Sequence, residues 1–527
     1  MRQARSIVRL VFAVLLVVAL GPSTSAIDIG LTPGGFPKLD PLLQRRASLL
    51  TGHSRVVVRA TSATSLASIV PVLRQVGGTV GRSLAIIDAV AADVPNVSLP
   101  LLAANPLIAR ISLDRVVAGA MERTGATVGA VSAREQFGYD GSGVGVAIID
   151  SGITAWHDDL GDPAAGGAQR VDQFVDFVNG RQAPYDDYGH GTHVAGIVAG
   201  NGFDSTGRRS GIAPRARIVA LKVIDGSGRG RISDVIAALD YVVTYKDAFN
   251  IRVANLSVAT GVYESYNSDP LTLAARRAVE AGVVLVAAAG NNGRGPDGRT
   301  RYGGIGAPGN SPWVLTVGAS SHMGTIDRAD DTIAAFSSRG PTAIDRGAKP
   351  DLVAPGAGIE SLSDPDSSLY ASRSPYLLGG TVATSFLPYL SLSGTSMAAP
   401  VVSGTVALML QAKPSLTPDD VKVILQSTAQ PYASYDRMTQ GAGFLDARRA
   451  VDVARSWSAP GVFPPLSTLT GGLSIFGTGA SDDGGVWGTD DGSSGVVWGT
   501  GDDSSEGVVW GTSCDDPSCE PVVWNNP

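Results

Sequence analysis

The sequence predicts a large α/β domain, with a mainly parallel sheet covered by helices on both faces, preceded by a small α+β unit. Two patterns lead to this fold class. From about residue 129 to residue 456, short apolar runs alternate with helical stretches, which is typical of parallel strands joined by crossover helices. Residues 55–117 follow a different order of elements. The chain has 527 residues, 44% of them hydrophobic and 17% charged, so its apolar content suffices for both cores.

The N-terminus has the pattern of an export signal, predicted to span residues 1–26. Arg2, Arg5 and Arg9 precede an apolar run over residues 10–20, and small residues follow it. The run is shorter than the roughly 20 apolar residues that cross a bilayer, so an uncleaved anchor is the less favoured alternative. Cleavage after residue 26 would leave a secreted or extracytoplasmic protein without a membrane span.

The small α+β unit follows a predicted linker. Residues 27–54 are rich in Pro, Gly and Leu without a period, which favours an irregular segment. The next patterns follow the order strand, helix, strand, strand, helix, strand, which is that of a ferredoxin-like unit. The predicted ranges are a strand at 55–60, a helix at 65–75, two strands within 78–95, a helix at 99–104 and a strand at 108–117.

The large domain is predicted to span residues 121–457, after the α+β unit of residues 55–120. Its candidate strands are residues 145–149, 217–223, 253–256, 283–288 and 314–317. Its candidate helices are residues 194–199, 233–245, 271–281, 399–412 and 418–426. Strands and helices alternate, as the parallel sheet requires.

The last 70 residues, 458–527, form a tail rich in Gly, Asp, Ser and Thr. Four related repeats occur in it: GVWGT at 485–489, VVWGT at 496–500, VVWGT at 508–512 and VVWNN at 522–526. Such a spacing favours short hairpin-like or solenoid-like units. We expect the tail to bind a cell surface or a ligand.

Charge and cysteine content exclude other classes of protein. The formal net charge is −7, without long basic runs, which argues against nucleic acid as a partner. The chain has 2 cysteines, Cys514 and Cys519, which are too few for a disulfide scaffold. Whether these two form a local disulfide in an oxidising compartment is left open.

Two segments each bring a polar residue to the end of a strand or the start of a helix. VGVAIIDSGI ends a buried strand at Asp150, at the sheet edge where α/β proteins place active-site groups. DDYGHGTHVAGIVAG places His190 at a helix start, with His193 as a packed supporting residue. A capping role for Asp150 and a zinc site at the two histidines are the alternatives. The sequence has neither HExxH nor a nearby cysteine, so no metal ligand is predicted.

Two further segments suggest a nucleophile and an oxyanion site. In SLSGTSMAAPVVSGTVALML, Ser396 enters a helix whose first-turn N–H groups can hydrogen-bond a developing negative charge. In VVLVAAAGNNG, Asn291 follows a buried strand, where its amide can donate to the same point. An ordinary helix cap at Ser396 and a turn at Asn291 are the alternatives.

Together, these motifs resemble the subtilisin-like (subtilase, peptidase S8) serine proteases. D-S-G-I, H-G-T-H-V-A-G, A-A-G-N and G-T-S-M-A-A-P are intact and in order over about 330 residues. The chain has no G-x-S-x-G, which disfavours an α/β-hydrolase. The resemblance implies a subtilisin-like three-layer sandwich and a serine-type endopeptidase. It implies that Ser396 is the nucleophile, His190 the general base and Asp150 its orienting carboxylate, with Asn291 in the oxyanion hole.

The resemblance also implies a substrate cleft. Substrate backbone would pair as a strand with residues 225–228, which include Ser227 and Gly228, and with a segment on the other side. That other segment consists of Ser257, Val258 and Ala259. The family usually has Ser-Leu-Gly there, so the last two residues depart from its pattern.

The primary specificity pocket implied by the resemblance has small, uncharged walls, at Ala288, Ala289, Gly290 and Gly306. Such walls favour large apolar P1 side chains with broad selectivity. The absence of an acidic floor residue argues against strict basic specificity. A longer insertion than is usual in the family follows Gly356 and is expected to form a rim or lid.

Secreted subtilases often carry a propeptide, which gives residues 55–120 an expected role as an intramolecular inhibitor. Self-cleavage would fall between about residues 117 and 129, and a permanently attached domain is the alternative. Asp159 occupies a position that is a calcium ligand in some relatives, but Arg208 and Arg209 in the partnering loop oppose it. Calcium is therefore possible without being predicted, and no cofactor is required. Polypeptides are the expected partners, and a binding protein that acts through its tail repeats is the alternative function.

Overall fold

The computed structural model describes residues 36–114, 120–162, 166–295, 297–458 and 508–509. The chain divides into two compact units, Met1–Arg115 and Val116–Pro527. The predicted signal peptide and nearly all of the tail, with both cysteines, lie outside the described residues.

Unit 1 contains an antiparallel four-stranded sheet. Its elements are α1 (Pro41–Arg46), β1 (His53–Ala60), α2 (Ala63–Gln75), β2 (Thr79–Leu84), β3 (Ala89–Pro95), α3 (Leu99–Ala104) and β4 (Ile108–Leu113). The spatial order is β2-β3-β1-β4, and all pairs are antiparallel. The order of elements from β1 to β4 agrees with the sequence prediction for this region.

The prediction of a linker over residues 27–54 is wrong for residues 36–54, which are ordered. Leu39 and Leu43 are fully buried in this segment. Asp40 caps α1 by accepting from the backbone N–H of Leu43 at 2.8 Å, and its other oxygen accepts from that of Leu113 at 2.6 Å. Two leucines on one short turn hold the segment on β4, and such a short helix leaves no period in the sequence.

Unit 2 is built around a large sheet. Its strands are β5 (Gly145–Asp150), β6 (Gly161–Asp162), β7 (Ala168–Gln169), β8 (Val171–Asp176), β9 (Arg217–Lys222), β10 (Arg229–Gly230), β11 (Ile251–Leu256), β12 (Val284–Ala288), β13 (Leu315–Ser321), β14 (Thr332–Ile333), β15 (Leu352–Pro355), β16 (Ile359–Leu362), β17 (Leu377–Leu378), β18 (Tyr389–Leu392) and β19 (Val508–Val509). Its helices are α4 (Ala120–Thr127), α5 (Ala130–Phe137), α6 (His190–Ala199), α7 (Ile232–Tyr245), α8 (Pro270–Glu280), α9 (Ser368–Ser372), α10 (Thr395–Ala412), α11 (Pro418–Thr428), α12 (Arg437–Gln440) and α13 (Ala447–Ser456).

The large sheet has the order β14-β13-β12-β11-β5-β9-β8, and β15 also pairs with β13. Its strand pairs are parallel except for β13 with β14. Val146 and Ile148 of β5 face a core that includes α6 and α10, and Ala147 and Ile149 face one that includes α7 and α8. Alternate residues therefore bury opposite faces of one sheet. The predicted α/β class with a mainly parallel sheet is confirmed.

Helix α10 runs through the core of unit 2. Among the helices that the structure describes, it alone has the length and hydropathy of a membrane span, and 89% of that window is buried inside the protein. It begins at Thr395, earlier than the predicted 399, and α6 likewise begins at His190 rather than at 194. Glycines and small polar residues in these first turns hide the helical pattern.

Three smaller sheets lie among the described residues of unit 2. The insertion after Gly356 forms an antiparallel sheet in the order β16-β18-β17. Strands β6 and β7 pair with each other. Strand β19, from the third tail repeat, pairs antiparallel with β10. The sequence patterns predicted none of these short strands except in the tail, where β19 lies in one of the repeats expected to form hairpin-like or solenoid-like units.

Candidate active site

The first two site residues lie at the end of β5 and the start of α6. Asp150 is the last residue of β5, and His190 is the first residue of α6; both are buried. His190 Nδ1 lies 2.9 Å from Asp150 Oδ1. When Asp150 is ionised, its oxygen only accepts, so Nδ1 carries the proton and Nε2 is the basic nitrogen.

The first turn of α6 is held by a buried carboxylate that sequence analysis did not identify. Asp186 accepts hydrogen bonds from the backbone N–H groups of Gly189 and Thr192, each at 2.8 Å. It also accepts from the Ser151 hydroxyl at 2.8 Å, and that hydroxyl accepts from the Gly191 N–H at 2.9 Å. These bonds join the end of β5 to the start of α6, so they fix the spacing of Asp150 and His190.

Burial governs the charges of this pair. It raises the pKa of Asp150 to about 8, against the lowering effect of hydrogen bonds from Ser151. It lowers the pKa of His190 well below the ordinary value. Because neither charge is stable alone in this environment, an imidazolium at His190 depends on ionised Asp150 as its partner.

The neighbouring histidine has a structural position. His193 Nε2 lies 2.9 Å from the carbonyl oxygen of Leu390 and 3.2 Å from that of Ile359. Burial lowers its pKa to about 3, so it remains neutral. It joins α6 to the small sheet, in keeping with the supporting role expected for it.

Ser396 lies in the first turn of α10 and is buried. Its hydroxyl donates to the carbonyl oxygen of Ser257 at 3.0 Å, and the Ser257 hydroxyl donates to the Ser396 carbonyl oxygen at 2.7 Å. Pro400, four residues later, has no N–H for that carbonyl, which leaves it available to Ser257. A reciprocal pair of bonds thus fixes the backbone of Ser396 at the end of β11.

Asn291 is oriented by the residue that precedes the serine. Its Oδ1 accepts from the backbone N–H of Thr395 at 2.9 Å and from the Thr395 hydroxyl at 3.0 Å. Its Nδ2 lies 3.4 Å from the position that a Cβ at Gly394 would occupy. The amide therefore directs its donor toward the start of α10, where the Ser396 N–H also lies. Two N–H donors near one serine hydroxyl are the arrangement that an oxyanion hole would require.

Comparisons with known proteins show the family. The model of the subtilase family matches residues 141–449, which is more than half of the chain and includes all four residues.

The chain belongs to the subtilase family.

Similarity to individual proteins supports this membership. Serine protease AprX of Bacillus subtilis is 39% identical over 316 residues, which are 59% of this chain and 66% of AprX. Subtilisin E of Bacillus subtilis is 32% identical over 373 residues, which are 70% of this chain and 82% of that protein. The solved CspB protease of Clostridium perfringens is 20% identical, with a TM-score of 0.52 over 64% of this chain and 99% of that chain. That structure shares the fold. This subtilase is therefore a serine protease by family.

One side of the expected cleft is the turn at residues 225–228. Asp225 Oδ1 accepts from the backbone N–H and from the hydroxyl of Ser227, and the Asp225 carbonyl accepts from the Gly228 N–H at 3.0 Å. Gly228 has φ +78°, and a Cβ there would lie 2.6 Å from the Tyr188 ring. Both the positive φ and the closeness of the Tyr188 ring therefore favour glycine at position 228.

The structure brings the remaining expected substrate residues together at the ends of β11 and β12. Gly306 donates its N–H to the Ala289 carbonyl at 3.2 Å, and a Cβ on it would lie 2.9 Å from the Ala259 side chain. Ser257 and Val258 continue β11 toward this point, and Ala288 and Gly290 flank Ala289; all are buried.

A buried cluster near Asp159 was tested as a calcium site. His157, Asp159 and Asp204 place ligand atoms within 4.8 Å of one another. Calcium takes 6–8 oxygen ligands, whereas this cluster offers two carboxylates and an imidazole nitrogen. Both Asp159 side-chain oxygens already accept hydrogen bonds, from the Asp204 N–H and the Tyr389 hydroxyl. The buried Arg170 guanidinium takes the Asp159 carbonyl. The cluster does not fit calcium.

Three contributors escaped the sequence analysis: Ser151, Asp186 and Thr395. Each carries a signal in hindsight, because Ser151 follows Asp150, Asp186 lies four residues before His190, and Thr395 precedes Ser396. Their roles depend on hydrogen bonds across the fold, which the motifs alone do not show.

Proposed function

We propose that this subtilase is a secreted serine endopeptidase, made as a precursor that cleaves itself, with a broad preference for large apolar P1 side chains. The observation that carries the proposal is the hydrogen bond of 2.9 Å between His190 Nδ1 and Asp150 Oδ1. It supports Nε2 as a base in a protein that also places Ser396 in the first turn of α10, with the Asn291 side chain bonded to Thr395 beside it.

The chemistry follows from these four residues. In the proposed reaction, the Ser396 hydroxyl leaves the Ser257 carbonyl, gives its proton to His190 Nε2 and attacks the scissile carbonyl with its oxygen. His190 then gives the proton to the leaving amine, while Asp150 stabilises the imidazolium. Asn291 and the Ser396 N–H donate to the oxyanion. Water releases the acyl group by the same steps in reverse.

The P1 preference rests on the pocket walls. Ala288, Ala289, Gly290 and Gly306 supply no side chain larger than a methyl group, and none of them is charged. A pocket with small walls accepts a large side chain, and an uncharged one gives no partner to Lys or Asp. Peptides that differ only at P1 should be cleaved best with Phe or Leu. Faster cleavage after Lys or Arg would contradict this preference.

Export, self-processing and the tail belong to the same proposal. The leader pattern at residues 1–26 supports secretion, and the separate fold of unit 1 supports a removable propeptide that inhibits unit 2. Cleavage would release it between about residues 117 and 129, near the segment 115–119 that lies outside the described residues. The acidic tail is proposed to attach the enzyme to a cell surface or a ligand. No cofactor has a step in this mechanism.

The test is mass spectrometry of the purified wild type beside Ser396→Ala, with a serine-directed fluorophosphonate probe. Wild type should lose about a hundred N-terminal residues over time and label at Ser396, whereas Ser396→Ala should stay full length and unlabelled. Ser427→Ala, an exposed serine on α11 with only a local hydrogen bond, is the matched control and should behave as wild type.

A wild type that neither cleaves itself nor labels would refute the proposal. In that case a binding protein becomes the better candidate, with the tail repeats as the place to look for its activity.

A further inference from the structure

The insertion after Gly356 carries a short helix, α9, to the loop that precedes His190. The backbone N–H of Ser368 donates to the Asp187 carbonyl at 3.0 Å, and that of Leu369 donates to the Tyr188 carbonyl at 3.1 Å. Two consecutive backbone bonds join the first turn of α9 to this loop. They position α9 beside the active site.

Side-chain packing also holds α9 against the loop that precedes His190. Leu369 is buried in the core of unit 2. A Cβ on Gly189 would lie 2.4 Å from the Ser367 hydroxyl oxygen, so the loop and the insertion leave no space between them. The Ser367 hydroxyl also accepts from the Tyr370 N–H at 3.2 Å and so caps α9. Residues 364–372, which we name the cleft latch, are thus fixed against the loop that precedes His190.

One exposed side chain of the latch, Ser368, contacts the segment with which substrate is proposed to pair. The Ser368 hydroxyl oxygen lies 2.7 Å from the Gly226 carbonyl oxygen and 3.1 Å from that of Asp187. Its single proton goes to one of these two carbonyls, and Gly226 is the nearer. Gly226 belongs to residues 225–228, with which substrate backbone is proposed to pair.

A substrate strand and the latch therefore meet at the same carbonyl. An added strand donates its N–H groups to the carbonyls of alternate residues on the edge it joins. Residues 225–228 form a turn rather than a strand, and the Gly226 carbonyl, which a substrate N–H would need, already accepts from the Ser368 hydroxyl. Tyr188, whose carbonyl accepts from the latch, packs its ring over Gly228. Both glycines of the turn are thus in contact with the latch or with the loop it holds.

We infer that Ser368 determines specificity on the non-primed side of the cleft, because its hydroxyl competes with the substrate backbone for the Gly226 carbonyl. A peptide too short to reach Gly226 does not meet this competition, whereas a longer one must displace the hydroxyl. In the wild type, substrate residues that extend across Gly226 therefore add little binding affinity. This inference rests on the proposed endopeptidase function.

The test compares Ser368→Ala, Ser368→Thr and Ser372→Ala on peptides of one sequence, lengthened one residue at a time on the N-terminal side. The loss of one neutral hydrogen bond that competes with the substrate should lower KM by roughly 3–10-fold for long peptides and leave kcat unchanged. Short peptides should show no difference. Ser368→Thr keeps the hydroxyl and should retain the wild-type dependence on length.

Ser372→Ala is the matched control, because Ser372 lies on the same helix and donates only to the Ser368 carbonyl. An unchanged or higher KM for long peptides in Ser368→Ala would overturn the inference. Failure of the proposed function is a separate result, seen when wild type cleaves no short peptide and does not label with the fluorophosphonate probe.

Discussion

Thr395 is expected to act in catalysis by positioning the oxyanion donor. Its hydroxyl makes two hydrogen bonds: it donates to Asn291 Oδ1 at 3.0 Å and accepts from the Gly290 N–H at 3.1 Å. Thr395→Val has nearly the same shape and removes both bonds. The backbone N–H of residue 395 still holds Asn291 Oδ1, so the amide loses one of its two orienting bonds.

The size of the effect follows from these contacts. A complete oxyanion donor contributes about 2.7–4 kcal/mol to transition-state stabilisation in proteases of this family. When Asn291 loses one of its two orienting hydrogen bonds, transition-state stabilisation should fall by about 1–2 kcal/mol. This corresponds to a loss of roughly 5–30-fold in kcat, with little change in KM. The Gly290 N–H, buried without its acceptor, should lower the free energy of unfolding by about 1–3 kcal/mol.

The assay is peptide hydrolysis with the active sites counted by a fluorophosphonate probe, so that misfolded enzyme is not scored as slow enzyme. Urea unfolding in a Ser396→Ala background gives the stability without self-digestion. Thr395→Ser keeps both bonds and should retain near-wild-type kcat. If Thr395→Ser loses as much kcat as Thr395→Val, or if Thr395→Val changes only KM, the positioning role is wrong.

Three further predictions follow from the site and its surroundings. Asp150→Asn should lower kcat by roughly 10⁴-fold with KM nearly constant, because the amide no longer fixes the His190 tautomer; a loss below tenfold in peptide hydrolysis would refute this. EDTA should change neither peptide hydrolysis nor Tm, since the cluster at Asp159, the one group of potential metal ligands found among the described residues, does not fit calcium; a loss restored by Ca²⁺ would contradict that conclusion. Burial and then the charge of Asp186 raise the pKa of Asp364 from 3.8 to about 7, so its contribution to stability is full below pH 4 and is lost as pH rises to 7. Asp364→Asn should therefore be more stable than its background at pH 8, by on the order of 1–3 kcal/mol, and equally stable at pH 4 in urea unfolding; an equal gain at both pH values would disprove the charge argument.

The fold was predictable where burial is continuous and hidden where contacts are irregular. The five apolar runs of the large domain became β5, β9, β11, β12 and β13, because a strand buried on both faces is apolar throughout. Strand β8 was missed, since it lies at the edge of the sheet and only Phe174 and Asp176 of its residues are buried. The ordered turn at α1 was also missed, because Leu39 and Leu43 bury themselves without a longer pattern.

The residues of the candidate site also divide into those that the sequence predicted and those that it did not. Asp150, His190, Ser396 and Asn291 lie at the ends of regular elements and carry local motifs, so their types and spacing pointed to the chemistry. Ser368 had no such signal. The length of the insertion after Gly356 suggested a rim, but its contact with Gly226 depends on how α9 packs against a loop about 140 residues earlier in the chain.

The predicted start of α10, residue 399, is wrong at the turn that contains Ser396, and Pro400 explains the error. Pro400 cannot donate to the Ser396 carbonyl, which makes this turn a poor helix by local rules and favours a later start. In the folded protein the carbonyl accepts from the Ser257 hydroxyl instead, and Ser257 accepts from Ser396 in return. The missing helical bond is thus replaced by one that ties the nucleophile to β11. A local departure from helix rules at this position thus coincides with the hydrogen bond that joins Ser396, the proposed nucleophile, to the sheet.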